Sequence, residues 1–204
     1  DIDALLFTHL HSDHAVDLYQ LIISSWHSYR IKPWKIYGPK GTKKFVKKIM
    51  DAWADERKLR ISYEARASAK AFDINVIEFN SIGNINIKDI KIKYFEVDHK
   101  PVKYAYGFNF VKKNKKITIS GDTKPCENLI KHAQLADVLL HEVYVEGEIM
   151  PISKMRTEQT LHNVKSYHTP SSIVGKIAKI SRCKKLVLTH FVPTRFNEKK
   201  LKNV

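Results

Sequence analysis

Short apolar runs alternate with polar turns along the chain, and together they predict a mixture of strands and helices. Leu5-Leu6-Phe7 and Lys35-Ile36-Tyr37 are typical of short buried strands. Between them, apolar residues recur at helical spacing over 15–25, and a second helical pattern runs from Thr42 to about Arg57. The first third of the chain is therefore predicted to alternate strands with helices.

Strands dominate the middle of the chain, and helices return towards its end. Apolar and polar residues alternate from Ile85 to Phe95, as in half-buried strands, and 104–111 with 116–120 are typical of a hairpin. Further helices are predicted over 128–134 and 170–180, and buried strands over 138–140 and 186–188. This order indicates an α+β or layered α/β domain. Because no linker divides the chain, we expect a single domain over 1–204.

The chain carries 36 basic and 21 acidic residues, a net charge of +15, and residues 101–204 contribute +11 of it (19 basic against 8 acidic). Such an excess favours a polyanionic partner such as RNA. The alternative is that lysine-rich usage carries no function. No apolar run approaches the length of a membrane span, so no membrane partner is expected. With only two cysteines, Cys126 and Cys183, the reducing cytoplasm is the expected location.

Four side chains that bind metals fall within six residues: His9, His11, Asp13 and His14. In an extended segment His9 and His11 point the same way, because side chains repeat every second residue. A helix that begins at Asp13 would place Asp13 and His14 beside them. Four such ligands crowd a single tetrahedral ion, so the spacing favours two adjacent ions of zinc, iron or manganese. A histidine-rich turn without a metal is the alternative.

Three further candidates follow apolar strand patterns. His99 comes after the strand that ends near Phe95, Asp122 follows Ile117-Thr118-Ile119, and His190 follows Leu186-Val187-Leu188. Ionisable residues at several strand ends are typical of a site at one edge of a sheet. Each residue taken alone is more often a surface or capping residue, but together with the histidine-rich segment they predict one site.

The segment His9-Leu10-His11-Ser12-Asp13-His14 resembles the HxHxDH signature of the metallo-β-lactamase superfamily, and the resemblance extends over nearly the whole chain. It implies an αββα sandwich, of the α+β class, with two divalent ions, zinc in the first place and manganese or iron as alternatives. It also implies the ligands: His9, His11 and His99 for the first ion, Asp13, His14 and His190 for the second, and Asp122 as the bridge. Members carry strands before this motif, so we expect an N-terminal truncation.

Downstream segments indicate a branch of this superfamily. His141-Glu142-Val143-Tyr144 is similar to the HEAT segment of ribonuclease Z, His168-Thr169-Pro170 to its His-Ser-Thr segment, and Leu188-Thr189-His190-Phe191 to its closing motif. The branch includes ribonuclease Z, other phosphodiesterases and arylsulfatase-like hydrolases. Two features differ from ribonuclease Z: a short hairpin occupies 107–120, where many members insert a tRNA-binding arm, and 97–102 is more similar to the arylsulfatase-like proteins.

The resemblance implies hydrolysis by a hydroxide that bridges the two metals. Asp13 would orient or deprotonate this hydroxide while binding a metal. His168 would stabilise developing charge or protonate the leaving oxygen, and Glu142 would orient His168. The alternatives are that His168 only neighbours a helix start and that Glu142 is a surface acid.

Three functions therefore stand. The first is a ribonuclease Z-like phosphodiesterase, including a tRNA 3′-end endonuclease, which the charge favours. The second is an arylsulfatase-like hydrolase of small sulfate or phosphate esters, which the missing arm favours. The third is a module that binds RNA without cutting it. The expected partner is RNA or a small ester, and a homodimer is one alternative because dimers are common among the similar proteins.

Overall fold

In a computed structural model, the chain is described over residues 2–151 and 156–201 and divides into two compact units, Asp1–Asn80 and Ser81–Val204. We call them the N-terminal and the C-terminal unit. Each unit combines helices with one sheet, so the predicted α+β class is confirmed. The prediction of a single domain, truncated at its N-terminus, stays a prediction.

The N-terminal unit has a three-stranded parallel sheet in the order β1-β2-β3. Its elements are β1 (Leu5–Leu6), α1 (Ser12–Ala15), α2 (Leu18–His27), β2 (Trp34–Gly38), α3 (Thr42–Ala52), α4 (Ala54–Glu64), a 3₁₀ turn (Lys70–Phe72) and β3 (Ile74–Glu78). Apolar faces of α2 and α3 pack on the sheet around the fully buried Ile22, Trp34 and Ile36. This packing fixes β1, the strand that leads into the histidine-rich segment.

The helix predicted from Thr42 to about Arg57 is two helices that meet at Trp53, where the backbone leaves the helical region (φ −109°, ψ 19°). Thr42 is the first residue of α3, and Gly41 occupies the N-cap position. The carboxylate of Glu78, on β3, accepts the N–H groups of Gly41 (3.0 Å) and Lys43 (2.9 Å) at the start of α3. The cap therefore comes from 35 residues away or more, which local sequence cannot indicate.

The C-terminal unit has a six-stranded sheet in the order β4-β5-β6-β7-β8-β9, antiparallel from β4 to β7 and parallel from β7 to β9. Its elements are β4 (Ile82–Ile87), β5 (Ile90–Glu96), β6 (Tyr106–Lys112), β7 (Lys115–Ile119), α5 (Glu127–Ala133), β8 (Val138–Tyr144), α6 (Glu158–Ser166), α7 (Ser171–Ile180), β9 (Leu186–Val192) and a 3₁₀ turn (Glu198–Leu201). The predicted hairpin is confirmed as β6–β7, with only Lys113 and Asn114 between the strands. The described residues between Gly107 and Ser120 therefore contain no inserted arm.

Two strands are longer than the sequence indicates. We predicted β8 over 138–140 and β9 over 186–188, but they continue to Tyr144 and Val192. The polar residues that look like strand ends lie inside the sheet: His141 pairs with Leu188 and Glu142 with Thr189, and His190 is still within β9. Tertiary pairing outweighs the local polarity.

Leu139 is fully buried on β8 and packs with Ala133 and Ile177 from the helices α5 and α7. We expect Leu139→Ala to lower the free energy of unfolding by about 2–5 kcal/mol, because it leaves a cavity at a close-packed helix–sheet contact. Urea denaturation measures the loss. Ile180→Ala is the matched control, since Ile180 is 59% exposed. A loss at Leu139 no larger than at Ile180 would contradict this view of the core.

His132 of α5 is buried, and its ring stacks on Phe95 of β5 with centroids 4.2 Å apart. Burial, assisted by the charges of Lys93, Lys131 and Lys116, lowers the pKa of His132 to about 4. His132 is therefore a packing residue of this sheet. It also couples folding to pH.

The unfolded chain takes up a proton at His132 near its ordinary pKa of 6.5, whereas the folded chain does so only near 4. The stabilising effect of neutral His132 is therefore complete above pH 6.5 and is lost as the pH falls towards 4. We expect His132→Phe, which keeps the stack, to reduce the drop in unfolding free energy between pH 7 and 4 by about 1–3 kcal/mol. Urea titrations at several pH values measure it, with the exposed His162→Phe as control. Parallel pH profiles for wild type and His132→Phe would contradict the prediction.

No helix among the described residues is both long and apolar enough to cross a membrane. Cys126 and Cys183 are both free thiols.

Candidate metal centre

The N-terminal unit gathers four predicted ligands where β1 gives way to α1. His9 is fully buried, and its ring centroid lies 4.7 Å from that of His11 and 4.3 Å from that of His14. Asp13 is in the first turn of α1, with Oδ2 3.5 Å from His14 Nε2. His9 and His11 therefore share one side of the extended segment, and the helix start brings Asp13 and His14 to them, as predicted.

The orientation of the His9 ring is set by its neighbour. Thr8 Oγ1 lies 3.0 Å from His9 Nδ1, a contact of the kind that fixes a metal-binding imidazole in place. Thr8 is absent from the predicted site, since a threonine before a histidine has no signature in the sequence.

The C-terminal unit brings together a second group, formed by His99, Asp122 and His190. Asp122 Oδ2 lies 3.3 Å from His190 Nε2 and 4.0 Å from His99 Nε2. His99 and Asp122 are almost fully buried. The sequence separates these residues by as many as 91 positions, and the sheet joins them because β5, β7 and β9 all deliver them at the same end.

Asp122 and His99 are each held by backbone geometry. Gly121 has φ +61°, a left-handed conformation that favours glycine, and it turns the chain directly before Asp122. His99 Nδ1 donates to the carbonyl oxygen of Tyr167 at 2.9 Å, so His99 Nε2 is the nitrogen on the side of Asp122. The Tyr167 carbonyl was not among the predicted site groups, because any residue could supply it.

His190 lies inside β9 and not after it, which corrects the prediction from the sequence. Glu142 pairs with Thr189 and Val143 with Phe191, so His190 is the extra residue of a β-bulge. Its φ of +44° is unusual for a residue other than glycine. The bulge turns the His190 side chain out of the alternating pattern and towards Asp122.

Glu142 and His168 form a buried pair beside this group. Glu142 Oε1 accepts a hydrogen bond from His168 Nδ1 (3.1 Å) and from the backbone N–H groups of Thr123 (3.0 Å) and Thr169 (3.1 Å). Glu142 is only 1% exposed, which excludes the surface-acid alternative. Burial raises the pKa of Glu142 to about 9, although the hydrogen bonds from Thr123 and Thr169 act in the opposite direction.

His168 lies within reach of the same centre. Ligand atoms of Asp122, His168 and His190 all lie within 4.8 Å of one another. Two imidazoles and a carboxylate at these distances are a donor set that suits zinc, manganese or iron, so the residues present fit a divalent ion. His168 also donates from Nδ1 to Glu142, which leaves Nε2 as the atom available for chemistry or for a metal.

Cys126 remains outside the group. Its thiol is half-buried, and Sγ lies 3.7 Å from Thr123 Oγ1. This contact is typical of a packing residue and not of a metal ligand.

Comparison with known proteins agrees with this geometry. The family described as "Anti-Pycsar protein Apyc1" matches residues 1–166. A ribonuclease Z from Mycolicibacterium paratuberculosis is 31% identical over 197 residues, which are 94% of this chain and 68% of that protein. The family match over 1–166 includes the histidine-rich segment, His99 and Asp122.

Two solved structures share the fold. The metallo-β-lactamase fold protein YhfI from Bacillus subtilis has a TM-score of 0.67 at 18% identity, and the match covers 98% of this chain and 69% of that one. The short form of human tRNase Z has a TM-score of 0.65 at 24% identity, with 93% and 72% covered. The fold implied by the HxHxDH resemblance is thereby confirmed. The chain belongs to the metallo-β-lactamase superfamily of metal-dependent hydrolases, within the family described as anti-Pycsar protein Apyc1, and it is related to ribonuclease Z.

Proposed function

We propose that this chain hydrolyses phosphodiester bonds with two divalent metal ions, in the manner of its ribonuclease Z relatives. The single observation that carries the proposal is the arrangement of Asp122, His190 and the Glu142–His168 pair, which sets a metal-binding group beside a buried, oriented imidazole. The relatives named ribonuclease Z support a phosphodiester substrate, since a ribonuclease cleaves that bond.

Seven residues would hold the metals, as the superfamily resemblance implies. They are His9, His11 and His99 for one ion, Asp13, His14 and His190 for the other, and Asp122 for both. The close histidines of the N-terminal unit and the Asp122 group of the C-terminal unit support these assignments. Zinc is the proposed metal, with manganese or iron as alternatives. When bound, such ions lower the pKa of water towards neutrality and polarise a phosphoryl oxygen.

Glu142, His168 and Asp13 would stabilise charge and position protons during the reaction. Glu142 holds His168 through Nδ1, so that His168 Nε2 can donate a proton to the leaving oxygen or stabilise charge that develops there. Asp13 would orient the attacking water while it binds a metal. Because Glu142 is fixed by two backbone N–H groups, the His168 ring is oriented before substrate arrives.

The substrate is proposed to be RNA, with cleavage at the 3′ end of a tRNA as the finer proposal. A small ester remains the alternative because the described β6–β7 hairpin carries no arm. Neither the curated relative nor the two structures described above is an arylsulfatase. We further propose a cytoplasmic enzyme, and a homodimer that size-exclusion chromatography with light scattering can test.

Parallel assays test the function. Purified protein with its metals quantified is given bis(p-nitrophenyl) phosphate, a precursor tRNA and p-nitrophenyl sulfate. We expect turnover of the phosphodiesters, loss of that turnover when a chelator removes the metals, and recovery when zinc or manganese is returned. Turnover of the sulfate ester with inert phosphodiesters would establish the arylsulfatase-like alternative instead. RNA binding without any turnover at full metal content would establish the non-catalytic module.

A further inference from the structure

Four lysines lie together in the C-terminal unit, away from the candidate metal centre. Lys91 and Lys93 point to the same face of β5, since they are two residues apart. Lys91 lies opposite Val111 of β6, and Val111 lies opposite Lys116 of β7, so Lys116 shares that face. Lys131 lies on α5, which packs on this face of the sheet: the ring of the adjacent His132 stacks on Phe95, two residues beyond Lys93, with centroids 4.2 Å apart. We call Lys91, Lys93, Lys116 and Lys131 the lysine face.

The lysine face has no acidic counterpart. Within residues 2–151 and 156–201, none of its four ammonium groups has a carboxylate within 4.0 Å. Lys116 Nζ donates to the carbonyl oxygen of Gln134 (2.8 Å), which satisfies a hydrogen bond and leaves the charge uncompensated.

Three neighbouring lysines, by contrast, are paired with carboxylates. Lys112 lies 3.0 Å from Asp89, and Lys115 and Lys184 lie 3.5 and 2.9 Å from Asp137. These three lysines are therefore paired with carboxylates, whereas the four of the lysine face are not. Since concentrated like charge disfavours the compact state, an anionic partner is the physical means to relieve it.

Spacing and neighbours favour a nucleic-acid backbone over a lipid surface. Lys91 and Lys93 are about 7 Å apart along the strand, and Lys91 and Lys116 about 10 Å apart across two strands. The exposed Asn84 and Asn86 lie opposite Lys93 and Lys91 and offer amides that can bind sugars or phosphates. These neighbours are not the large apolar or aromatic side chains that insert into lipid.

We propose that the lysine face binds the phosphate backbone of a single-stranded RNA substrate at a distance from the bond that is cut. The proposal rests on the proposed phosphodiesterase function for its substrate class. Lys91 lies near the start of β5, and the end of this strand at Glu96 is about 17 Å away. The proposed ligand His99 lies beyond that end. Only a substrate of several nucleotides can reach both places, so the lysine face favours RNA over a small phosphodiester.

Binding of the holoenzyme to a fluorescent, nuclease-resistant phosphorothioate RNA of twenty nucleotides tests the proposal, with anisotropy measured at several salt concentrations. We expect the variant K91Q/K93Q/K116Q/K131Q to bind at least about 10-fold more weakly at low salt. The slope of log affinity against log salt should be smaller by about 3, because each lost phosphate contact removes about 0.7. The matched control K112Q/K115Q/K184Q/K200Q loses the same charge at paired positions, since Lys200 Nζ lies 2.9 Å from Glu148 Oε1, and should change binding much less. If the fourfold variant does not fold, K91Q/K131Q, at two exposed positions, replaces it.

Turnover of a small phosphodiester tests the proposed function independently of RNA binding by the lysine face. Turnover of bis(p-nitrophenyl) phosphate should be the same in wild type and in the fourfold variant. If that variant binds RNA as wild type does and its phosphodiester turnover is intact, the lysine face is not an RNA-binding site, and the proposed phosphodiesterase function is unaffected. If the control variant weakens RNA binding as much as the fourfold variant does, the proposal is also wrong, because binding then depends on net charge alone. Stronger binding to vesicles containing phosphatidylserine than to RNA, lost in the fourfold variant, would overturn RNA as the partner.

Discussion

His168→Ala is expected to lower the turnover of bis(p-nitrophenyl) phosphate by about 10²- to 10⁴-fold, the usual contribution of a positioned proton donor. The expectation follows from the buried hydrogen bond between His168 Nδ1 and Glu142 Oε1, which leaves Nε2 to act on the leaving oxygen. Metal content should stay at the wild-type value, because the proposed ligands are unchanged. Turnover, KM and metal content are measured on the same preparation.

The metal content decides between two roles for His168. Its ligand atom also lies within 4.8 Å of those of Asp122 and His190, so the distances alone permit a third role as a ligand. Loss of metal together with turnover would make His168 a ligand and remove it as the proton donor. Unchanged turnover would remove it from the mechanism altogether. His162→Ala, an exposed histidine on the preceding helix α6, is the control and should have no effect.

The histidine-rich segment shows how much of such a site the sequence can predict. The two-residue spacing of His9 and His11 and the helix that begins beside Asp13 are local properties, and local geometry determines them. Asp122 was also predictable, since Gly121 before it indicates a tight turn at the end of a strand pattern. For these residues the covalent spacing is itself the structural constraint.

His190 shows where such prediction ends. Its position in β9 depends on the register between β8 and β9, where Glu142 pairs with Thr189 and Val143 with Phe191. A bulge is a property of two strands about 47 residues apart and leaves no pattern in either one. The same holds for Glu78, whose carboxylate caps α3 from β3, and for the Tyr167 carbonyl that orients His99. Groups that act through tertiary contact carry no local signal.

The lengths of β8 and β9 have a similar cause. A polar pair such as His141-Glu142 ends an apolar run, so the sequence indicates the end of a strand there. In the folded chain Glu142 is buried because Thr123, Thr169 and His168 donate hydrogen bonds to it. A buried carboxylate is tolerated only with such partners, and their presence cannot be known before the fold is. The strand therefore continues through residues that would otherwise end it.

Asp122→Asn is expected to reduce bound metal from the proposed two ions per chain towards one or none, and to abolish most turnover with it. Asp122 Oδ2 lies between His190 Nε2 (3.3 Å) and His99 Nε2 (4.0 Å), in a position nearly closed to solvent. The substitution keeps the shape of the side chain and removes its negative charge. Residues that merely support a metal ligand contribute about 10- to 100-fold to affinity, so loss of a ligand shared by both ions should cost at least as much.

The stability of the metal-free Asp122→Asn variant shows whether the substitution removes only a metal ligand or also disturbs the fold. With the metals removed by a chelator, Asp122→Asn should unfold at the same urea concentration as wild type or a higher one, because a carboxylate no longer has to be buried. Asp137→Asn is the control: its carboxylate pairs with Lys115 and Lys184 at the other end of the strands, so metal content should be unchanged. Full metal content at wild-type affinity in Asp122→Asn would exclude Asp122 as the bridging ligand. A loss of stability in the metal-free variant would instead make Asp122 a residue of the fold, and the assignment of the second metal would then depend on Asp13, His14 and His190 alone.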